Sequence, residues 1–210
     1  MRTFRPWALA VVLVLPVLAP AAESTSSART SSGAEDFGIE LTDLIERVAK
    51  RTGKQFIVDP RVRATVPKTG LDLAQVDYAR LLAILTVHQF ATYESNGVVK
   101  VVPDANARSL PIPLIPEISA KMLDDEYVTV MFQAKNMCAA HAVPVLRPLL
   151  PQNAHLAAFP QANTLLIFDR AANARRIIDM AERLDTAAPS GQKCPSEGSP
   201  TNSDSKSERK

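Results

Sequence analysis

The stretch LPIPLIPEI, residues 110–118, limits more than any other how this chain can fold. Pro111, Pro113 and Pro116 each fix φ and remove a backbone donor, so the stretch sustains neither a helix interior nor a central strand. It reads as a semi-stiff linker over residues 105–121. Regular hydrophobic patterning lies on either side, over 35–104 and 122–186. The expected fold class is therefore α+β, with two small two-layer α/β-sandwich domains joined by a proline-rich linker.

The ends of the chain are patterned differently. Arg2 and Arg5 precede the apolar run WALAVVLVLPVLAPAA, and Ala19-Pro20-Ala21 supplies the small-residue spacing that a signal peptidase needs. A spanning helix requires about 20 uninterrupted apolar residues, and Pro16 and Pro20 interrupt this one. Residues 1–22 are read as a signal peptide, with export to a bacterial periplasm. No cysteine stands at the cleavage point to carry a lipid. Residues 23–34, ESTSSARTSSGA, read as a flexible spacer. The tail at 187–210 is too polar to bury a core and is expected to be disordered.

Without residues 1–22 the chain carries 22 basic and 22 acidic side chains. That balance argues against a general nucleic-acid binder, which needs clustered cations to displace counterions from phosphate. The two cysteines, Cys138 and Cys194, leave two readings open: a small buried apolar Cys138, or one bridge between them.

In the first segment a short strand is expected at Asp36–Glu40. Leu41, Leu44, Ile45, Val48 and Ala49 then recur on one helical face. Thr42 is a candidate N-cap, Glu46 stands four before Lys50, and Gly53 suits a helix exit. KQFIVDP reads as a buried strand ending at Pro60, with Asp59 a turn residue. A second helix is predicted from about Ala74 to His88, with Tyr78, Leu81, Leu82 and Leu85 on one side. FATYES, Asn96-Gly97 and VVKVVP predict a hairpin, because Asn-Gly readily takes the left-handed turn.

The second segment predicts strand, helix, strand, strand, helix. EYVTVMF is the first strand, and Asn136 is expected to cap a helix reaching about Leu150, with Pro144 forcing a kink or an early break. HLAAF and TLLIFD flank the turn at Pro160–Asn163. Asp169 is expected to cap the last helix, whose Ala174, Ile177, Ile178, Ala181 and Leu184 face inward.

Candidates for chemistry are few. Cys138 and His141 share a helix face, with His155 nearby, but zinc needs three or four ligands in a tetrahedral set. No metal site is assigned. Asp124, Asp125 and Glu126 read as a solvated charge cluster at a strand's start. The chain shows no G-x-S-x-G, G-x-x-x-x-G-K or H-E-x-x-H motif, and no G-x-x-G loop that would clamp a nucleic-acid backbone. No catalytic residue, cofactor or small-molecule substrate is assigned.

GKQFIVDPRV, LLAILTVHQFATYESNGVVKVVPDANA and HAVPVLRPLLPQNAHLAAFPQANTLLIFDRAANARRIIDMAERLD resemble the first two periplasmic domains of the type II secretion secretin. The resemblance implies a first domain like the signalling domain of outer-membrane receptors and a second that is KH-like. Full secretins form oligomeric outer-membrane channels for folded proteins. Because no match to the later periplasmic domains or the barrel is seen, this chain is expected not to be the channel itself. Gln89 stands where the family tends to place a glycine, and a glycine is also missing near Ala64.

The implied function is that of a periplasmic component or adaptor, not an enzyme, acting by protein–protein docking. Its implied partners are the inner-membrane clamp protein of type II secretion or a secretin, with exported cargo and further copies of the chain also considered. A short strand at a sheet edge accepts a partner's strand through main-chain hydrogen bonds. Carried over by position, the family's contact with the clamp protein falls on Phe37, Gly38 and Ile39. A stand-alone periplasmic binding module and an inert secretin fragment are the alternatives.

Overall fold

The computed structural model describes residues 38–68 and 70–189. The expected signal peptide, the spacer, Asp36, Phe37, Cys194 and the tail from residue 190 lie outside the described residues.

The first module runs β1 (Gly38–Glu40), α1 (Leu41–Thr52), β2 (Gln55–Val58), β3 (Thr65–Pro67), α2 (Tyr78–Val87), β4 (Phe90–Ser95) and β5 (Val98–Pro103). Its strands divide between two sheets. β1 pairs antiparallel with β3, while β5 lies between β2, which is parallel to it, and antiparallel β4. Leu41, Leu44, Ile45 and Val48 of α1 pack with Leu81, Leu82 and Leu85 of α2 in one core. The predicted stripes supply this core, with Ala49 and Tyr78 only half-buried, and Ile84, outside the predicted α2 stripe, joins it.

Three expectations need correction here. Thr42 does not cap α1: β1 runs straight into the helix, and the Leu41 amide is satisfied by the Ala64 carbonyl at 2.9 Å. β2 is not fully buried, because it is an edge strand whose outer face leaves Ile57 57% exposed. α2 starts at Tyr78 rather than Ala74, since the Asp77 carboxylate accepts from the Arg80 amide at 2.8 Å and fixes the helix start there.

The turns follow the sequence closely. Gly53 closes α1 in the left-handed region, and Asn96 and Gly97 take φ of 54° and 75° in the β4–β5 turn. Asp59 ends β2 by accepting the Arg61 amide at 2.9 Å, and the Arg61 side chain pulls its pKa down to about 2. Gln89 takes φ of 61° after α2, the conformation a glycine would take without steric strain. The turn is kept, with the Gln89 carbonyl accepting from the Asp104 amide at 3.0 Å.

The second module comprises β6 (Leu114–Ile115), β7 (Tyr127–Gln133), α3 (Ala139–Leu146), β8 (His155–Phe159), β9 (Thr164–Arg170) and α4 (Ala171–Ala187). From β7 onward this is the predicted strand, helix, strand, strand, helix. The sheet order is β6-β7-β9-β8, and β6, drawn from the proline-rich stretch, pairs parallel with β7. Val128, Val130, Leu165 and Ile167 pack beneath Leu146, Ala174, Ile177 and Ala181, leaving the other sheet face free of these helices.

Helix ends in this module depart from expectation. α3 spans Ala139–Leu146 and tightens into a 3-10 turn, with Pro144 inside it. Asn136 does not cap it. The Ala139 amide is instead bound by the Asn163 side chain at 2.8 Å, from the left-handed residue of the β8–β9 turn. Asp169 does not cap α4 either: it is buried and accepts from the Arg170 amide and the Asn173 side chain, while the Ala171 and Ala172 amides reach the carbonyls of Glu126 and Asp124. Leu184 is 39% exposed, and Asp185 takes the inward place.

Asp185 is the reason Asn136 is unavailable. Its carboxylate accepts from the amides of Lys135, Asn136 and Met137 at 2.8–3.1 Å, and the Asn136 side chain donates to the Asp185 carbonyl. The β7–α3 loop is thereby tied to α4. Desolvation works against the Asp185 charge, but the three amide donors outweigh it and lower its pKa.

The modules meet at Arg170. Its guanidinium donates to the Thr86 hydroxyl at 2.7 Å, the Asp125 carbonyl at 3.2 Å and the Phe90 carbonyl at 3.3 Å, and pairs with Asp104 at 3.4 Å. The Tyr127 ring lies 4.6 Å beneath it, stacked on Phe168 at 5.2 Å. Tyr127 and Phe168 cluster with Ala91 and Ala107, flanked by Val102, Leu110 and Ile112. The Arg170 side chain is 16% exposed. The acidic run is likewise drawn into contacts: Asp125 accepts from the Thr86 hydroxyl at 2.8 Å and Asp124 pairs with Arg175 at 2.7 Å, so it is more than a solvated cluster.

Replacing Arg170 by Ala is expected to lower stability by about 3 kcal/mol, because it strands the partly buried Asp104 carboxylate and two carbonyls. Arg170→Lys should recover little, lacking the planar fork. Chemical denaturation of both variants checks this. Asp185→Asn is expected to lose about 1–3 kcal/mol near pH 7. Since the folded pKa of Asp185 lies below its ordinary 3.8, its contribution is complete above that value and is lost as pH falls through the folded pKa. Wild-type and variant denaturation curves should therefore converge in acid.

Candidate docking site

Gly38 and Ile39 form the start of β1, the one described part of the predicted binding strand. Both are half-buried, and Ile39 packs against the first module's core. The side chain thus anchors the strand and leaves the main chain as its binding surface. Among the described residues β1 pairs with β3 alone.

The phase of that pairing decides what the free edge offers. The Leu41 amide points to Ala64, and an antiparallel ladder alternates, so Ile39 faces Val66 while the Gly38 main-chain groups and the Glu40 amide turn outward, the Glu40 carbonyl closing the first turn of α1. Glu40 is further held by its side chain, which accepts from the Thr65 hydroxyl at 2.9 Å. A glycine is required at position 38: a Cβ there would come within 2.3 Å of the Val66 carbonyl oxygen. Gly38 therefore has a structural role in bringing β1 close to β3.

Beside this edge lies a groove of about 590 Å³, walled by Gly38, Ile39, Arg47, Leu71 and Leu73. Arg47 is exposed on α1 and makes no ion pair among the described residues. Lys68 and Asp72 line it as well, so the arrangement supplies donors, acceptors, an apolar wall and charges of both signs. No nucleophile with an adjacent base lines it.

The remaining candidates are not brought together. His141 is exposed on α3, whereas Cys138 is buried before it and disulfide-bonded. Among the described residues no three His, Cys, Asp or Glu side chains converge to hold a metal ion. Sequence reasoning missed the Arg170 junction and the Asp185 tie. The signal for the first was the alternation Leu166, Phe168, Arg170 on the sheet face opposite the helices.

Residues 37–101 match the family described as "GspD-like, N0 domain". The chain is 33% identical over 149 residues to secretin XcpQ of Pseudomonas aeruginosa, covering 70% of this chain and 22% of that protein. It is 32% identical over 167 residues to secretin PulD of Klebsiella pneumoniae, covering 74% and 25%. Among solved structures, it is similar to a chain of the Klebsiella pneumoniae type II secretion system outer membrane complex, which contains PulD, PulS and the PulC HR domain. That match has a TM-score of 0.62 and 31% identity, over 74% of this chain and 27% of that one. The chain spans about a quarter of the length of the curated relatives it matches.

Gly38→Ala is expected to push β1 off β3 at a cost of about 1–3 kcal/mol, typical of overpacking. Amide hydrogen exchange should show faster exchange at Ile39 and Val66, with β4 and β5 unchanged.

Proposed function

The chain belongs to the type II secretion secretin family, of which it carries N-terminal domains, and from that premise we propose that it is a docking component of the secretion machinery. Secretins are structural secretion components, not enzymes, and their N-terminal domains are periplasmic in the family. On this reading residues 1–22 direct export to the periplasm, and residues 35–104 and 122–186 act as two modules.

The docking surface is the outer edge of β1, with the Gly38 main-chain groups and the Glu40 amide offering hydrogen bonds, and with Phe37 and the uncovered side of half-buried Ile39 that lines the groove setting the side-chain fit. Its partner is the periplasmic region of the inner-membrane clamp protein, in keeping with the PulC HR domain in the similar complex. Association with a secretin, through further copies of this fold, is the companion contact. The observation that carries the proposal is the phase of the β1–β3 ladder, which turns Gly38 and the Glu40 amide away from β3 beside a groove lined by exposed Arg47 together with Lys68 and Asp72. Main-chain pairing gives affinity there, while the groove selects the side chain that follows.

A photoreactive residue at exposed Arg47, compared with one at exposed Glu182 on α4, tests this. Recovery of the clamp protein from position 47 and not from 182 is expected. Recovery of neither, from exported and folded protein, would sink the proposal.

A further inference from the structure

α2 buries Leu81, Leu82, Ile84 and Leu85 in the core, while Ala83 and Val87 lie along its outer side next to the edge of Ile84. Val87 is 79% exposed, a large apolar area for a side chain with no cover of its own. Between this side and β3 lies a groove of about 320 Å³, walled by Val66, Pro67, Leu71, Ile84 and Val87, with Arg80 and His88 also lining it.

The ladder phase that turns Ile39 and Val66 toward each other turns Thr65 and Pro67 the other way. β3 has no second strand partner among the described residues, so its outer edge is open. Pro67 has no amide hydrogen, which leaves the Thr65 amide and the Thr65 and Pro67 carbonyls as the pairing groups. An open strand edge beside an apolar helix side admits an added extended segment, whose alternate side chains reach the helix.

Charge narrows the occupant. Arg80 is exposed, its guanidinium makes only a 3.4 Å contact with the Gln75 carbonyl, and it forms no ion pair among the described residues. The nearby Asp77 carboxylate is engaged by the Arg80 amide.

We propose that the β3–α2 groove is a docking site for an extended segment of a partner protein that carries alternate apolar side chains and one carboxylate placed to meet Arg80. The site uses the edge of β3 remote from β1, so it stands or falls independently of pairing at Gly38–Glu40.

The test uses the full chain, isotope-labelled, and two blocked octapeptides of alternating valine and threonine, one with a central glutamate and one with lysine there. The glutamate peptide is expected to shift the Thr65 amide and the Val87 methyl resonances and to bind about fivefold more tightly than the lysine peptide. Arg80→Glu should invert that order. Val87→Asp, at an exposed position, should leave Tm unchanged and weaken binding at least about tenfold. Equal affinity for the two peptides, indifference to Val87→Asp, shifts confined to Gly38–Glu40, or no binding at millimolar peptide would each overturn the proposal.

Discussion

A guanidinium offers five donors in a rigid plane and two faces that stack on aromatic rings. In Arg170 both properties are used at one point: the fork meets Thr86, Phe90, Asp104 and Asp125, and a face lies on Tyr127. The Phe90 carbonyl opens β4 and the Asp104 side chain follows β5, so both belong to the first module, whereas Arg170 ends β9 of the second. Removing this group would leave buried acceptors from one module facing apolar surface of the other.

Other arginines repeat the pattern on a smaller scale. Arg51 reaches the carbonyls of Ala74 and Val76, Arg175 those of Ser119 and Met122, and Arg176 that of Leu149. Each joins a helix to a neighbouring loop or turn through its main-chain carbonyls. Asp185 does the converse, gathering three amides of the β7–α3 loop. Small modules bury a limited share of their surface, so loop fastening by long charged side chains supplements modest cores.

The elements that the sequence made legible are those determined locally. The stripe of α1, the Asn96-Gly97 turn and the two strands around Pro160–Asn163 follow from side-chain period and left-handed turn chemistry, and all are present. The illegible parts depend on residues far apart in the chain. Asn136 reads as a cap because nothing nearby reveals Asp185, 49 positions away, and Leu184 reads as core because the stripe does not show that a carboxylate takes the next place. β3 and β6 are too short to show a period, and exist because β1 and β7 present open edges to them. At the docking strand, Gly38 and Ile39 were legible through resemblance, but the close approach of Gly38 to Val66 was not.

Docking at β1 depends on the Gly38 main-chain groups and the Glu40 amide facing a partner while Ile39 is already paired. Amide hydrogen exchange, read residue by residue with and without the periplasmic region of the inner-membrane clamp protein, tests it most directly. The account predicts that the Gly38 and Glu40 amides slow on addition of the partner while Ile39, held by Val66 throughout, does not change. Binding that leaves Gly38 and Glu40 exchanging at their free rates would contradict it.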